Sequence, residues 1–542
     1  MPHPAARLNT GKSPERPVRP TGPGFFLYAV SIATALLIIL PLAYLVLRAA
    51  GADGAVTELL WRPRTWEILK RSLVLAFSVT FLSTLISLPL AWALERTDLP
   101  FKRMWAVLTT VPIVIPSYVG GFVAVSALGP RGLLQQALEP LGVDRLPEIY
   151  GLSGAVMTLT LLRFPYMLIP VRASLANLDP SLEESSRSLG KGSLETFLKV
   201  ILPQLRPAVA GGCLLTAMTA LGDFGAVSLL RYETFTWAIY LEYQSVFDRT
   251  AAAALSLVLA ALALGLLAME GRTRAGASFY RMGHGKRPPL RPLNLGRWKV
   301  PALALFSLLA LGSLLMPVFI LLMWLVRGMA AGEHFPGLPA AMVNSLCISA
   351  AAAVIIMGAA FPIAYLSARS PGRLIYVLER VAYFGFALPG VVVALALVFF
   401  GIRFIGLLYQ THALLVAAYV ILFLPVALGP LRAVLLQQSP RLEEAAYSLG
   451  RSQSYALTRV IIPLARPGIL AGAALAFLVT MRELPATLIL SPIGFRTLAT
   501  SVWSASSEAF FARAAADSLV LIALSSVPMA ILIIKERSRR EV

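Results

Sequence analysis

Twelve long apolar runs dominate this chain of 542 residues. They span about 25–47, 73–94, 104–128, 151–171, 208–230, 250–269, 301–326, 344–366, 381–400, 411–431, 468–490 and 515–534. A helix rising about 1.5 Å per residue needs about 20 apolar residues to cross a hydrocarbon core about 30 Å thick. Lipid offers backbone N–H and C=O groups no partner, so such runs form helices or a closed barrel. None alternates apolar and polar residues as barrel strands do. The expected fold is an all-α polytopic membrane protein with twelve transmembrane helices. Only 14% of residues are charged, against about 25% in soluble domains. The first run is too long for a cleavable signal peptide and lacks a small-residue cleavage pattern.

Basic residues orient the spans, because Lys and Arg concentrate on the cytoplasmic side. With the N-terminus inside, the inner segments hold 32 of the 47 Lys and Arg. Both termini are therefore expected in the cytoplasm. The same bias accounts for a formal net charge of +20 without any nucleic-acid partner. The two cysteines, Cys213 and Cys347, lie in apolar runs, and there are four histidines. No disulfide framework and no metal site is expected.

The chain is a duplication. Glu183-Glu184, Leu189-Gly190, Pro203 and Arg206-Pro207 recur 260 residues later as Glu443-Glu444, Leu449-Gly450, Pro463 and Arg466-Pro467. Pro89, Arg96 and Pro116 recur 273 residues later as Pro362, Arg369 and Pro389. The difference belongs to an outer loop near 129–150. Each half has six spans, so the halves are parallel repeats about an axis normal to the membrane. The expected divisions are a cytoplasmic tail (1–24), a first half (25–270), a basic linker (271–300), a second half (301–535) and a short cytoplasmic tail (536–542). The linker has eight Lys and Arg and no acid, which suits contact with anionic lipid.

The duplicated polar segment falls between spans four and five, on the inner side. Its spacing reads as two short helices joined by a turn at Gly190 or Gly450. Pro207 and Pro467 mark re-entry into the membrane. Such an element can dock into a groove on a soluble partner, with the acidic pair supplying charge complementarity at the rim.

Both copies resemble the coupling loop of binding-protein-dependent ABC transporter permeases. Glu444-Ala445-Ala446 with Gly450 is close to the family pattern, whereas the first copy has Ser185-Ser186 in place of the alanines. Leu221-Gly222-Asp223-Phe224-Gly225, Glu483-Leu484-Pro485-Ala486-Thr487 and Pro116-Ser117-Tyr118-Val119-Gly120 are similar to fused permeases of iron(III) uptake; thiamine permeases are similar too. The resemblance implies a type I importer fold in a bacterial inner membrane. It implies a periplasmic binding protein that delivers ferric ion, and a homodimeric cytoplasmic ATPase that holds ATP and Mg. The coupling residues would be Glu183, Glu184, Gly190, Pro203, Pro207, Glu443, Glu444, Ala445, Gly450, Pro463 and Pro467. A secondary transporter also commonly has twelve spans, but it has no use for two matched docking loops.

Asp223 and Glu483 are equivalent acids within apolar runs, where an uncompensated charge costs about 2.5–3.5 kcal/mol. They are candidates for lining a cation path. Alternatively they brace helices, with Arg482 adjacent to Glu483 and Arg163 available as a partner. Prolines within spans (Pro89, Pro112, Pro116, Pro165, Pro170, Pro425, Pro430) are expected to kink them. Thr10-Gly11-Lys12-Ser13 resembles the end of a phosphate-binding loop, but Ala6 stands where that motif needs glycine. The chain is expected to have no ATP site, no cofactor and no catalytic residues.

Overall fold

The computed structural model describes residues 24–50, 55–130, 132–143, 146–178, 183, 185–186, 188–245, 250–275, 292–370 and 372–540. Glu184, most of the N-terminal tail and of the basic linker, and the last two residues lie outside the described residues. So does the decoy at Thr10–Ser13. The described residues are helical, with one isolated bridge pairing Thr97 and Leu293.

Among the described residues, ten helices are long and apolar enough to cross a membrane. Five belong to the first half: Phe25–Arg48, Pro63–Arg96, Leu152–Asn177, Phe197–Leu221 and Thr250–Met269. The second half has Gly296–Ala330, Leu338–Arg369, His412–Gln437, Gln453–Met481 and Phe511–Pro528. The third span of each half is a bent pair. Lys102–Val114 meets Ser117–Leu141 at 97°, and Arg373–Ala387 meets Gly390–Phe404 at 106°. Counting each pair once gives twelve spans in two sets of six.

The straight spans expected at 104–128 and 381–400 are thus broken. Proline fixes its own φ and pushes the preceding residue into extended conformation. Ile115 (ψ 118°) and Leu388 (ψ 124°) are extended, and Pro116 and Pro389 begin the new helices. The spans expected at 208–230 and 468–490 also stop early, at Leu221 and Met481. An acid follows each stop, and in the second half Pro485 also stands four residues beyond Met481, where it cannot continue the helix. Asp223 Oδ1 accepts the Ala226 N–H (3.0 Å), and Glu483 Oε1 accepts the Ala486 N–H (3.1 Å). A side chain that caps a new helix competes with continuation of the old one. The short helices Gly225–Leu229 and Pro485–Leu490 follow.

Within each half, span two packs on span four. The first spans cross over: Phe25–Ala50 packs against Leu338–Arg369 and Arg373–Ala387, while Met316–Ala330 packs against Ser117–Leu128. The two halves therefore share one core. His412–Gln437 is apolar all round and sits deepest, as such helices must. Phe77, Leu85, Phe319 and Val354 stay exposed on span surfaces, a large apolar band that lipid would cover.

Candidate translocation cavity and coupling loops

The coupling loops are built alike. Gly190 (φ +81°) and Gly450 (φ +71°) adopt the left-handed conformation that terminates a helix, which costs glycine least. After Arg441–Ser448, the Gly450 N–H donates to Tyr447 O (2.9 Å) and the Arg451 N–H to Ala446 O (3.1 Å). That pair is a Schellman closure. The Lys191 N–H repeats the second bond, to Ser186 O (3.3 Å). Leu189 and Leu449 protrude just before the glycines, each 78% exposed.

Two expectations are corrected. The second helix of each loop is not a separate surface helix. Ser193–Thr196 continues through a π turn, Phe197–Ile201, into Leu202–Leu221; Gln453–Ala456 continues likewise through Leu457–Ile461 into Ile462–Met481. Pro203 and Pro463 fall in the first turn of the α segment, where a missing N–H is absorbed, and Pro207 and Pro467 lie inside the helix. Nor does the first acid of each pair sit at a rim. Glu183 and Glu443 are each 7% exposed and face Arg96 and Arg369. Arg369 Nε donates to Glu443 Oε1 (2.5 Å), Tyr365 Oη donates to Oε2 (2.7 Å), and Arg369 Nη1 donates to Gln438 O (3.0 Å). Arg96 Nε lies 3.6 Å from Glu183 Oε2. These acids tie the loop to span two, and Glu444 and Ala445 face outward. Arg96 and Arg369 were visible as repeat partners, but only the fold shows what they hold.

Where the two halves meet, the broken spans enclose a cavity of about 280 Å³. Its lining includes Tyr118, Arg163 and Asp223 from the first half, and Gly390, Arg482 and Glu483 from the second. Asp223 and Glu483 thus come together in one place. Their surroundings differ. Arg163 Nη2 donates to Asp223 Oδ2 (2.6 Å), with the carboxylate side chain 1% exposed. Glu483 has no ion-pair partner within 4.0 Å among the described residues. Arg482 instead donates from Nη1 to Ile113 O (2.5 Å) and from Nε to Leu478 O (3.2 Å). A Cβ at Gly390 would collide with Glu483 Oε1, and a Cβ at Gly225 would stand 2.7 Å from the Tyr118 nitrogen. Glycine at both positions lets the carboxylate or the backbone approach a helix start. A third intramembrane acid, Asp517, accepts from Ser501 Oγ (2.5 Å) and lies outside the cavity lining. A second groove, beside Phe77, Phe81 and Val156, is mostly apolar, with Ser78 and Ser153 as its polar lining.

Comparison with known proteins agrees with this architecture. The family described as "Binding-protein-dependent transport system inner membrane component" matches twice, at residues 87–270 and 360–540. The chain belongs to that family: it is a two-half, multi-pass permease of the ABC importer class. That sets aside the secondary-transporter reading. The Fe(3+)-transport system permease protein FbpB 2 of Haemophilus influenzae is 36% identical over 519 residues, covering 95% of this chain and 99% of that protein. The sulfate transport system permease protein CysT of Salmonella typhimurium is 29% identical over 45% of this chain and 90% of its own length. The molybdenum transport system permease protein ModB of Escherichia coli is 31% identical over 38% of this chain and 96% of its own length.

Proposed function

We propose that this chain is the translocation subunit of a ferric iron importer in a bacterial inner membrane, with both termini cytoplasmic. The observation that carries the cargo is the end-to-end similarity to a two-half iron(III) permease. A periplasmic binding protein delivers the ion. A homodimeric cytoplasmic ATPase, which holds ATP and Mg, docks on the two coupling loops. Leu189 and Leu449 are the apolar knobs of that docking and Glu444 its outward charge, while Glu183 and Glu443 fix each loop to span two. ATP binding closes the ATPase dimer and moves the loops. Each loop helix is continuous with span five, so the motion reaches Asp223 and Glu483 at the far end. Asp223 and Glu483 line the path. The chain performs no chemistry of its own.

The test is reconstitution in liposomes with the cognate ATPase and binding protein. ATP-dependent uptake of radioactive ferric iron is the expected result. Uptake of thiamine, sulfate or molybdate in its place would overturn the cargo and leave the permease standing.

A further inference from the structure

Spans two, three and seven meet at the end of the molecule marked by Arg96 and Glu183, and a short piece of chain ties them together. The Leu293 N–H donates to Arg96 O (2.8 Å), and the Asp98 N–H donates to Leu293 O (2.9 Å). Asp98 Oδ1 accepts the Leu295 N–H (2.9 Å), and its Oδ2 pairs with Lys299 Nζ (2.7 Å). Trp105 packs on Phe306 with ring centroids 5.6 Å apart. The helices Lys102–Leu108 and Lys299–Ala310 therefore lie side by side, and both begin at this end.

The surface formed there is basic and apolar at once. Lys102, Arg103 and Arg297 have no carboxylate within 4.0 Å among the described residues. The acids nearest in sequence are already engaged, Glu95 by Arg172 (2.9 Å) and Asp98 by Lys299. Phe101, Trp298 and Val300 stand exposed among these cations. Phe101 has φ +57°, a left-handed conformation that a bulky residue keeps only where its surroundings hold it. Its ring is 75% exposed, so the strain gains little packing within the fold. The second half lacks these features. Leu374, Ile375 and Tyr376 stand where the first half has Phe101, Lys102 and Arg103, and Leu374 lies in the regular helix Arg373–Ala387.

Unpaired cations at this place suit an acidic protein surface or an anionic lipid headgroup, and the apolar residues decide between them. Val300 continues along its own helix into the exposed residues Leu308, Leu311 and Leu315, part of the apolar band that lipid would cover. Tryptophan at the end of a span sits at headgroup level. Lysine and arginine beside it are attracted to anionic headgroups and donate to phosphate oxygens.

We propose that Phe101, Lys102, Arg103, Arg297 and Trp298 form a headgroup site for an anionic phospholipid, beside the first coupling loop and without a counterpart in the second half. The site takes its leaflet from the orientation proposed above, and nothing in it depends on the cargo. The test is lipid retention by the full chain in neutral detergent, followed by native mass spectrometry during titration with phosphatidylglycerol and, separately, phosphatidylcholine. Saturable retention of phosphatidylglycerol in preference to phosphatidylcholine is expected. Each cation is worth about fivefold in affinity, so Lys102→Gln, Arg103→Gln and Arg297→Gln together should weaken retention about a hundredfold. Phe101→Gly relieves the left-handed strain, so it should melt no lower than the native chain and still hold the lipid more weakly. Its result stands even where the triple variant fails to fold. Native affinity in either variant overturns the site. Equal weakening by Arg373→Gln with Arg380→Gln, both exposed in the corresponding helix of the second half, also overturns it, because the attraction would then be general. Native lipid affinity in the triple variant with loss of the ATPase on co-purification assigns the patch to a protein partner and overturns the lipid site.

Discussion

The two halves present equivalent acids to one cavity and treat them differently. Asp223 is locked to Arg163, whose equivalent in the second half is Phe423; Arg482 stands where the first half has Gly222. The Arg163–Asp223 pair is internal to its half and holds two spans together. The Arg482 guanidinium reaches across to Ile113 of the other half, and Glu483 has no cation within 4.0 Å among the described residues. The two positions are equivalent in the repeat, and different neighbours make one a brace and leave the other without an ion pair among the described residues. The second acid is therefore the better candidate for contact with cargo.

The largest effect should come from breaking the brace. Arg163→Ala leaves Asp223 buried and uncompensated, a loss of about 3–5 kcal/mol in unfolding measurements on the purified protein. Arg482→Ala should cost clearly less, and equal costs would erase the contrast between the halves. Next is Tyr365→Phe, which removes a donor from the buried Glu443. It should cost about 1.5–3 kcal/mol and lower the transport achieved per ATP hydrolysed. The first half has Trp92 at the equivalent position, packed edge-on against Phe197 with ring centroids 6.4 Å apart. Trp92→Phe should leave coupling near its native value. Gly190→Ala and Gly450→Ala should each cost about 1–2 kcal/mol from left-handed strain. Neither added Cβ meets an atom within 4 Å, so a marked inequality would mean that the loops are not equivalent. Glu483→Gln keeps the acceptor for Ala486, so stability should hold while iron uptake falls; unchanged uptake would remove Glu483 from the path.

The smallest effect is expected at Asp98. The Leu295 N–H (2.9 Å) and Lys299 (2.7 Å) hold its carboxyl below the usual carboxylate range. Because its folded pKa is depressed, the stabilisation is present above about pH 4 and is lost as pH falls through the folded value. Asp98→Asn should lower the melting temperature slightly at pH 7, and the difference should vanish in acid.

Span number, duplication and the position of the glycine turns were legible because apolar length and recurrence are one-dimensional signals. The breaks at Pro116 and Pro389 were visible as prolines, but a kink and a right-angle turn look alike without knowing what packs beside them. The early stop at Leu221 was hidden because Gly222–Leu230 is nearly as apolar as the helix it ends; the signal was Asp223 three residues before the Ala226 N–H. The inward turn of Glu443 was not legible, since its partners Tyr365 and Arg369 are 78 and 74 residues away.

The unbroken helix from Gln453 to Met481 has 29 residues, a rod of about 43 Å at 1.5 Å per residue. One end follows the Gly450 turn and the other leads into Arg482 and Glu483. A rod of that length is long enough to act as a lever arm. Pivoted at its middle, a tilt of about 5° moves either end by about 2 Å, with the ends moving in opposite directions. A shift of that size at the cavity is comparable to the difference between a made and a broken hydrogen bond.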